Sequence, residues 1–198
     1  MKIGMIFESG AQGADWQVCK HLAEKLNPSL DVEYVNHRNK PEMVSDCGKD
    51  VRLLIAQGCE KVLIVWDLYP SPHGSNQKPC RKADRDAIMQ SLTYAGMEAK
   101  PVCLVCITEE LEAWLLADGR ALTACLSRTS HPVKRIRSSK KPDQIISPKK
   151  RLIKLFKENG RGKYNSLVDA MRIIKELPDM THIRRSPSFK RFEEKLTT

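Results

Sequence analysis

Acidic residues at three places carry the chemistry this sequence offers. Glu8 closes an apolar run that starts at Lys2 and precedes the turn Ser9-Gly10-Ala11-Gln12-Gly13. Asp67 closes a second run, Lys61–Asp67, and Glu109, Glu110 and Glu112 follow a third, Pro101–Ile107. Short apolar runs of this kind read as buried strands. In a parallel sheet their carboxyl ends lie along one edge, where such carboxylates can converge. Gathered carboxylates repel one another and favour a hard cation such as Mg²⁺, or Mn²⁺, bound through oxygen. A metal there stabilises charge in phosphoryl transfer and activates water. Glu8, Asp67, Glu109 and Glu112 are the candidate metal ligands. Glu8, Asp67 and Glu112 are the candidate catalytic residues: Glu8 as general acid/base or ligand, Asp67 as ligand, Glu112 as ligand or orienter. The plainer reading of each is a solvated acid, or one capping the helix that follows.

Other reactive residues offer weaker signals. Gly10 and Gly13 are not part of a Walker or GxGxxG sequence, and a tight turn beside Glu8 accounts for them equally well. His73 and Cys80 fall in the loop after Asp67, where His73 reads as a surface histidine or as a phosphate contact. Arg81 opens a helix against its dipole, which suggests an anion nearby, or else pairing with Asp84 and Asp86. The seven cysteines are odd in number and scattered, so no disulfide framework is expected. Cys103 and Cys106 have CxxC spacing within a strand-like run, where positions three apart point to opposite faces. They read as buried apolar residues rather than zinc ligands.

The elements that must position the acids alternate. Strand-like Lys2–Glu8, Asp31–Asn36, Lys61–Asp67 and Pro101–Ile107 are separated by helical periodicity over Ala14–Leu26, Pro41–Gln57 and Arg81–Ala95, with a short helix expected over Glu109–Ala117. This order predicts an α/β domain over 1–126, with a mainly parallel central sheet and helices on both faces. A basic, mostly helical region over 127–198 packs on the same domain. Its loop, 127–147, leads to amphipathic helices at Pro148–Glu158, Ser166–Leu177 and Pro187–Leu196.

Charge divides the chain at the same place. Residues 1–126 hold 14 Lys and Arg against 17 Asp and Glu, whereas 127–198 hold 20 against 7. So basic a final third suggests a polyanion, most often nucleic acid. The candidate contacts are Arg81, Lys140, Lys141, Lys149, Lys150, Arg184 and Arg185. No apolar run is long enough to cross a bilayer and no signal peptide is evident, so the expected setting is a reducing cytoplasm, without membrane contact.

Ile6-Phe7-Glu8-Ser9-Gly10, Val65-Trp66-Asp67 and Glu109-Glu110-Leu111-Glu112-Ala113-Trp114-Leu115-Leu116 resemble the landmarks of Toprim-like proteins. With Pro148-Lys149-Lys150 and Ser186-Pro187-Ser188-Phe189-Lys190-Arg191-Phe192, the chain resembles the bacterial family called domain of unknown function 4276. The resemblance implies a Toprim-type α/β fold using Mg²⁺ for nucleic-acid strand cleavage or nucleotidyl transfer. It also implies a place in phage defence beside an ATPase partner. Glu8 then matches the Toprim glutamate and Asp67 the first aspartate of Asp-x-Asp. Leu68 and Tyr69 follow Asp67, so the second aspartate is missing, and Glu112, Glu109 or Glu110 is left to supply its oxygen. The alternative implied by that loss is a non-catalytic nucleic-acid-binding or adaptor module.

Overall fold

A computed structural model describes residues 1–10, 13–70 and 78–197. The chain divides into two compact units, Met1–Ile107 with Phe192–Thr198, and Thr108–Arg191. The first is built on strands β1 (Lys2–Phe7), β2 (Asp31–Asn36), β3 (Lys61–Asp67) and β4 (Val102–Ile107). All pair in parallel, in the order β2-β1-β3-β4. The two central strands, β1 and β3, are the ones buried almost throughout, which is why their sequences are nearly continuous in apolar residues. The edge strand β2 instead alternates, with Val32 buried between exposed Asp31 and half-buried Glu33.

Helices α1 (Ala14–Leu26), α2 (Lys40–Ala56) and α3 (Arg81–Tyr94) are the crossovers. Right-handed connections in this strand order carry α1 to one face and α2 with α3 to the other. On the second face Ile6, Val62, Ile64 and Trp66 share one core with Met43, Val51 and Leu54 of α2 and Ile88 and Leu92 of α3. Alternation turns Phe7, Leu63 and Val65 to the opposite face. α2 begins where Asn39 accepts a hydrogen bond from the Glu42 amide (2.9 Å) and Pro41 sets the first turn. The expected mainly parallel α/β fold is thus observed, with a wholly parallel sheet. Among the described residues no helix is long and apolar enough to cross a membrane.

The second unit holds α4 (Glu112–Leu115), α5 (Gly119–Leu126), α6 (Pro148–Glu158), α7 (Ser166–Lys175) and the first residues of α8 (Pro187–Thr197). Its centre is Trp114, fully buried, with its ring edge-on to Phe189 at 5.3 Å and its indole N–H donating to Ser188 Oγ at 2.8 Å. Asp143 ties down the same turn: it accepts from the Ser186 hydroxyl and, at 2.8 Å, from the Ser188 amide. The Glu-Ala-Trp-Leu-Leu and Ser-Pro-Ser-Phe segments therefore meet in one buried, hydrogen-bonded joint. α5 was not expected from the sequence. Asp118 caps it through the Arg120 amide at 2.8 Å. Gly119 is required because a Cβ there would run into the carbonyl of Ile136.

Ser188→Ala removes the acceptor of a buried indole N–H, and the expected loss is about 1–3 kcal/mol. Urea unfolding of the full chain measures it. A variant as stable as wild type would mean the joint is held by packing alone.

Candidate active site at the carboxyl edge of the sheet

The direction of winding reverses between β1 and β3: β1 leads to β2 on one side, while β3 lies against its other side. In open parallel sheets the crevice at such a reversal, beyond the carboxyl ends, is where ligands bind. Glu8 and Asp67 stand at those two ends. The Asp67 amide donates to Glu8 Oε1 at 2.5 Å, so the structure brings these two expected residues together. The Gly13 amide donates to the Gly10 carbonyl at 2.7 Å. A Cβ on Gly13 would collide with Ser9, so glycine is needed at that position. Burial pushes the Glu8 carboxyl up to about 8; Asp15 and Asp84 add to the rise, while the Lys40 ammonium and the Asp67 amide oppose it. Near neutral pH, Glu8 is therefore largely a protonated acid that can donate.

Lys40, which the sequence reading passed over, organises this edge. Its side chain is buried, and its ammonium donates to the carbonyls of Leu68 (3.0 Å) and Pro70 (2.8 Å) and pairs with Asp84 at 3.6 Å. Asp84 accepts in turn from the Trp66 indole at 3.1 Å. A lysine so far from water must have its donors met, and the chain leaving β3 beside Asp67 meets them.

The donors at this edge are hard. Asn36 ends β2 opposite Phe7. Its Oδ1 and Ser9 Oγ are buried without a hydrogen-bond partner among the described residues. With the Asp67 carboxylate these oxygens suit Mg²⁺ or Mn²⁺ in kind, while the protonated Glu8 carboxyl is a poorer ligand. Among the described residues, however, no three His, Cys, Asp or Glu side chains gather closely enough to hold a metal. Any ion here would rely on substrate phosphate and water for the rest of its shell. Cys103 and Cys106 pair with Leu63 and Trp66 and so face opposite ways. Burial pushes the Cys106 thiol up to about 12, which disfavours the thiolate a zinc ion needs. His73 lies outside the described residues; Cys80 is exposed just before α3.

Glu109, Glu110 and Glu112 belong to the second unit. Glu112 is buried there, accepting from the Tyr164 hydroxyl at 3.3 Å with the Lys149 ammonium 3.9 Å away. Glu110 accepts from the Lys149 amide at 3.3 Å. Glu109 has a left-handed backbone (φ 66°), and burial, then Glu110, raises its carboxyl. Of the basic candidates, Lys140, Lys141, Lys149, Lys150, Arg184 and Arg185 are exposed on this unit and Arg81 on the first. Arg185 also reaches the Ser139 carbonyl at 3.5 Å. Trp114 is wholly buried and belongs to the core of this unit.

Two stability measurements test this edge. Because the folded Glu8 carboxyl titrates near 8 against an ordinary value of 4.5, the folded state keeps a proton between those values that the unfolded chain has released. Stability from this group is full below 4.5, falls as pH rises towards 8 and is flat above. Glu8→Gln should flatten that part of the Tm-against-pH curve, and a parallel curve would place Glu8 in water. Lys40→Met strands the buried Asp84 carboxylate and should cost about 3–5 kcal/mol by chemical denaturation; a loss under about 1 kcal/mol would contradict the buried pair.

No curated protein matches the chain significantly. A family model does, over residues 12–197, beginning just after Glu8 and covering Asp67, the Glu109–Glu112 cluster and the Trp114–Ser188 joint. By that match the chain belongs to the family described as Domain of unknown function (DUF4276).

Proposed function

We propose that this protein breaks or exchanges phosphodiester bonds in nucleic acid at the β1–β3 edge, with Mg²⁺ or Mn²⁺. The observation that carries the reading is the contact between Glu8 and Asp67 at the reversal of strand order, the position where parallel sheets bind ligands. The resemblance of both segments to Toprim-like proteins supports it, as does the basic final third. Asp67 is the carboxylate that would hold the cation, with Ser9 and Asn36 offering neutral oxygens; the cation would supply Lewis-acid stabilisation of a phosphoryl oxygen. Water in cleavage, or a hydroxyl in exchange, attacks phosphorus and releases its proton to solvent, while Glu8, protonated near neutral pH, donates its proton to the leaving oxygen. The Asp67 amide fixes the carboxyl for that transfer, and Lys40 fixes the backbone beside it. Lys140, Lys141, Lys149, Lys150, Arg184 and Arg185, with Arg81, neutralise the phosphate backbone. The same resemblance supports action in phage defence beside an ATPase.

A second reading, a nucleic-acid-binding adaptor without catalysis, is favoured by one observation: no three-ligand group is found among the described residues. Strand cleavage of plasmid and single-stranded substrates separates the two, with Mg²⁺ or Mn²⁺ and with or without an ATPase encoded beside this protein. Glu8→Gln and Asp67→Asn should each lower the rate by about 10²-fold or more, while substrate affinity holds. The wild-type rate should fall above pH 8 as Glu8 loses its proton. Equal cleavage by wild type and both variants would refute the site, and no cleavage under any condition would favour the adaptor.

A further inference from the structure

Away from the β1–β3 edge, the second unit carries a groove of its own. A cavity of about 280 Å³ is floored by Leu116, Leu122, Ile136 and Leu155 and rimmed by Arg137 and Arg151. A second, of about 490 Å³, is lined by Ile146, Lys150, Arg151 and Lys154 among others. Arg151 and Leu155 line both, so the two lie side by side along α6. The charges are one-sided. Arg137, Lys150 and Arg151 have no ion pair among the described residues; Lys154 is 3.7 Å from Glu158, the only acid lining either cavity. Ile146, at the mouth, is 84% exposed, although neighbouring Ile145 is buried. Ser147 follows it with a left-handed backbone (φ 50°) and leads into α6, a strained conformation of the kind found at ligand clamps.

We propose that this groove binds a single-stranded polynucleotide, its phosphates on Arg137, Lys150 and Arg151 and its unpaired bases over Ile146 and the apolar floor. An apolar floor between free cations calls for a ligand that alternates charge with flat apolar surface. Unpaired nucleotides do so. A duplex keeps its base faces stacked inside, offers phosphates alone and leaves the floor wet. No aromatic side chain lines the groove, so base stacking on rings is absent and sequence preference is weak. The inference rests on the reading that this protein handles nucleic acid, but not on cleavage.

The test is fluorescence anisotropy of the full chain with a labelled oligothymidylate and a duplex of equal length, at low and moderate salt. Arg137→Glu with Arg151→Glu should weaken single-strand binding by about tenfold or more and reduce its salt dependence, because phosphate contacts are lost. Lys175→Glu with Lys190→Glu, exposed on the same unit but outside the groove, makes the same charge change and should weaken it by about threefold or less. Ile146→Ser, conservative for folding because the residue is exposed, should weaken single-strand binding about threefold and leave duplex binding unchanged. Thermal unfolding confirms that each variant is folded. Equal losses from both charge pairs, equal sensitivity of the duplex to Ile146→Ser, no polynucleotide binding at low salt, or stronger binding of an acidic amphipathic peptide would each overturn the proposal. Single-strand binding through the groove without cleavage would sink the catalytic reading and leave this one standing.

Discussion

A lysine buried at the start of α2 governs the first unit. Lys40 cannot keep its charge away from water unless its donors are met. They are met by the Leu68 and Pro70 carbonyls and by Asp84, which in turn takes the Trp66 indole N–H. One ammonium thus joins α2, α3 and the chain leaving β3. That chain leaves β3 at Asp67, whose amide reaches Glu8. Replacing such a pair by apolar residues of similar volume can be neutral for stability; what the pair supplies here is position. It fixes the segment beside Asp67 and places a positive charge near Glu8 that partly offsets the burial of that acid.

Two of the segments that carry the resemblance to this family do structural work in the second unit. Glu-Ala-Trp-Leu-Leu and Ser-Pro-Ser-Phe form the joint around Trp114, Asp143 and Ser188, and Glu112 is occupied by Tyr164 and Lys149. These are packing and hydrogen-bond constraints within the second unit. Glu8 and Asp67 instead sit in the first unit, one buried and shifted, the other tied through its amide. That joint orders the second unit, while the groups proposed for chemistry lie beside a separate lysine network in the first.

Much of the first unit was legible because its constraints are local. Continuous apolar runs announced β1 and β3, and helical spacing announced α1 over Ala14–Leu26. Strand order was not legible: β1 and β3 become neighbours only because the chain reverses, and that adjacency joins Glu8 to Asp67. Lys40 was missed because its burial depends on carbonyls 28 and 30 residues away. The expected helix over Glu109–Ala117 shrank to Glu112–Leu115, with Glu109 left-handed ahead of it. α5 was missed because glycine at a helix start reads as a breaker, and its reason, the close approach of Ile136, is tertiary. The basic third was legible as charge; the groove along α6 was not, because its floor draws on Leu116, Leu122 and Leu155 from three separate segments.

The proposed chemistry needs Glu8 to be a buried acid rather than a solvated carboxylate at a strand end. The most direct measurement is ¹³C NMR of its side-chain carboxyl across pH in the full chain, assigned by Glu8→Gln. The expected midpoint lies near 8, moved upward in a folded Lys40→Met variant. A midpoint near the ordinary 4.5 would show a carboxyl open to water and remove the acid from the proposed chemistry.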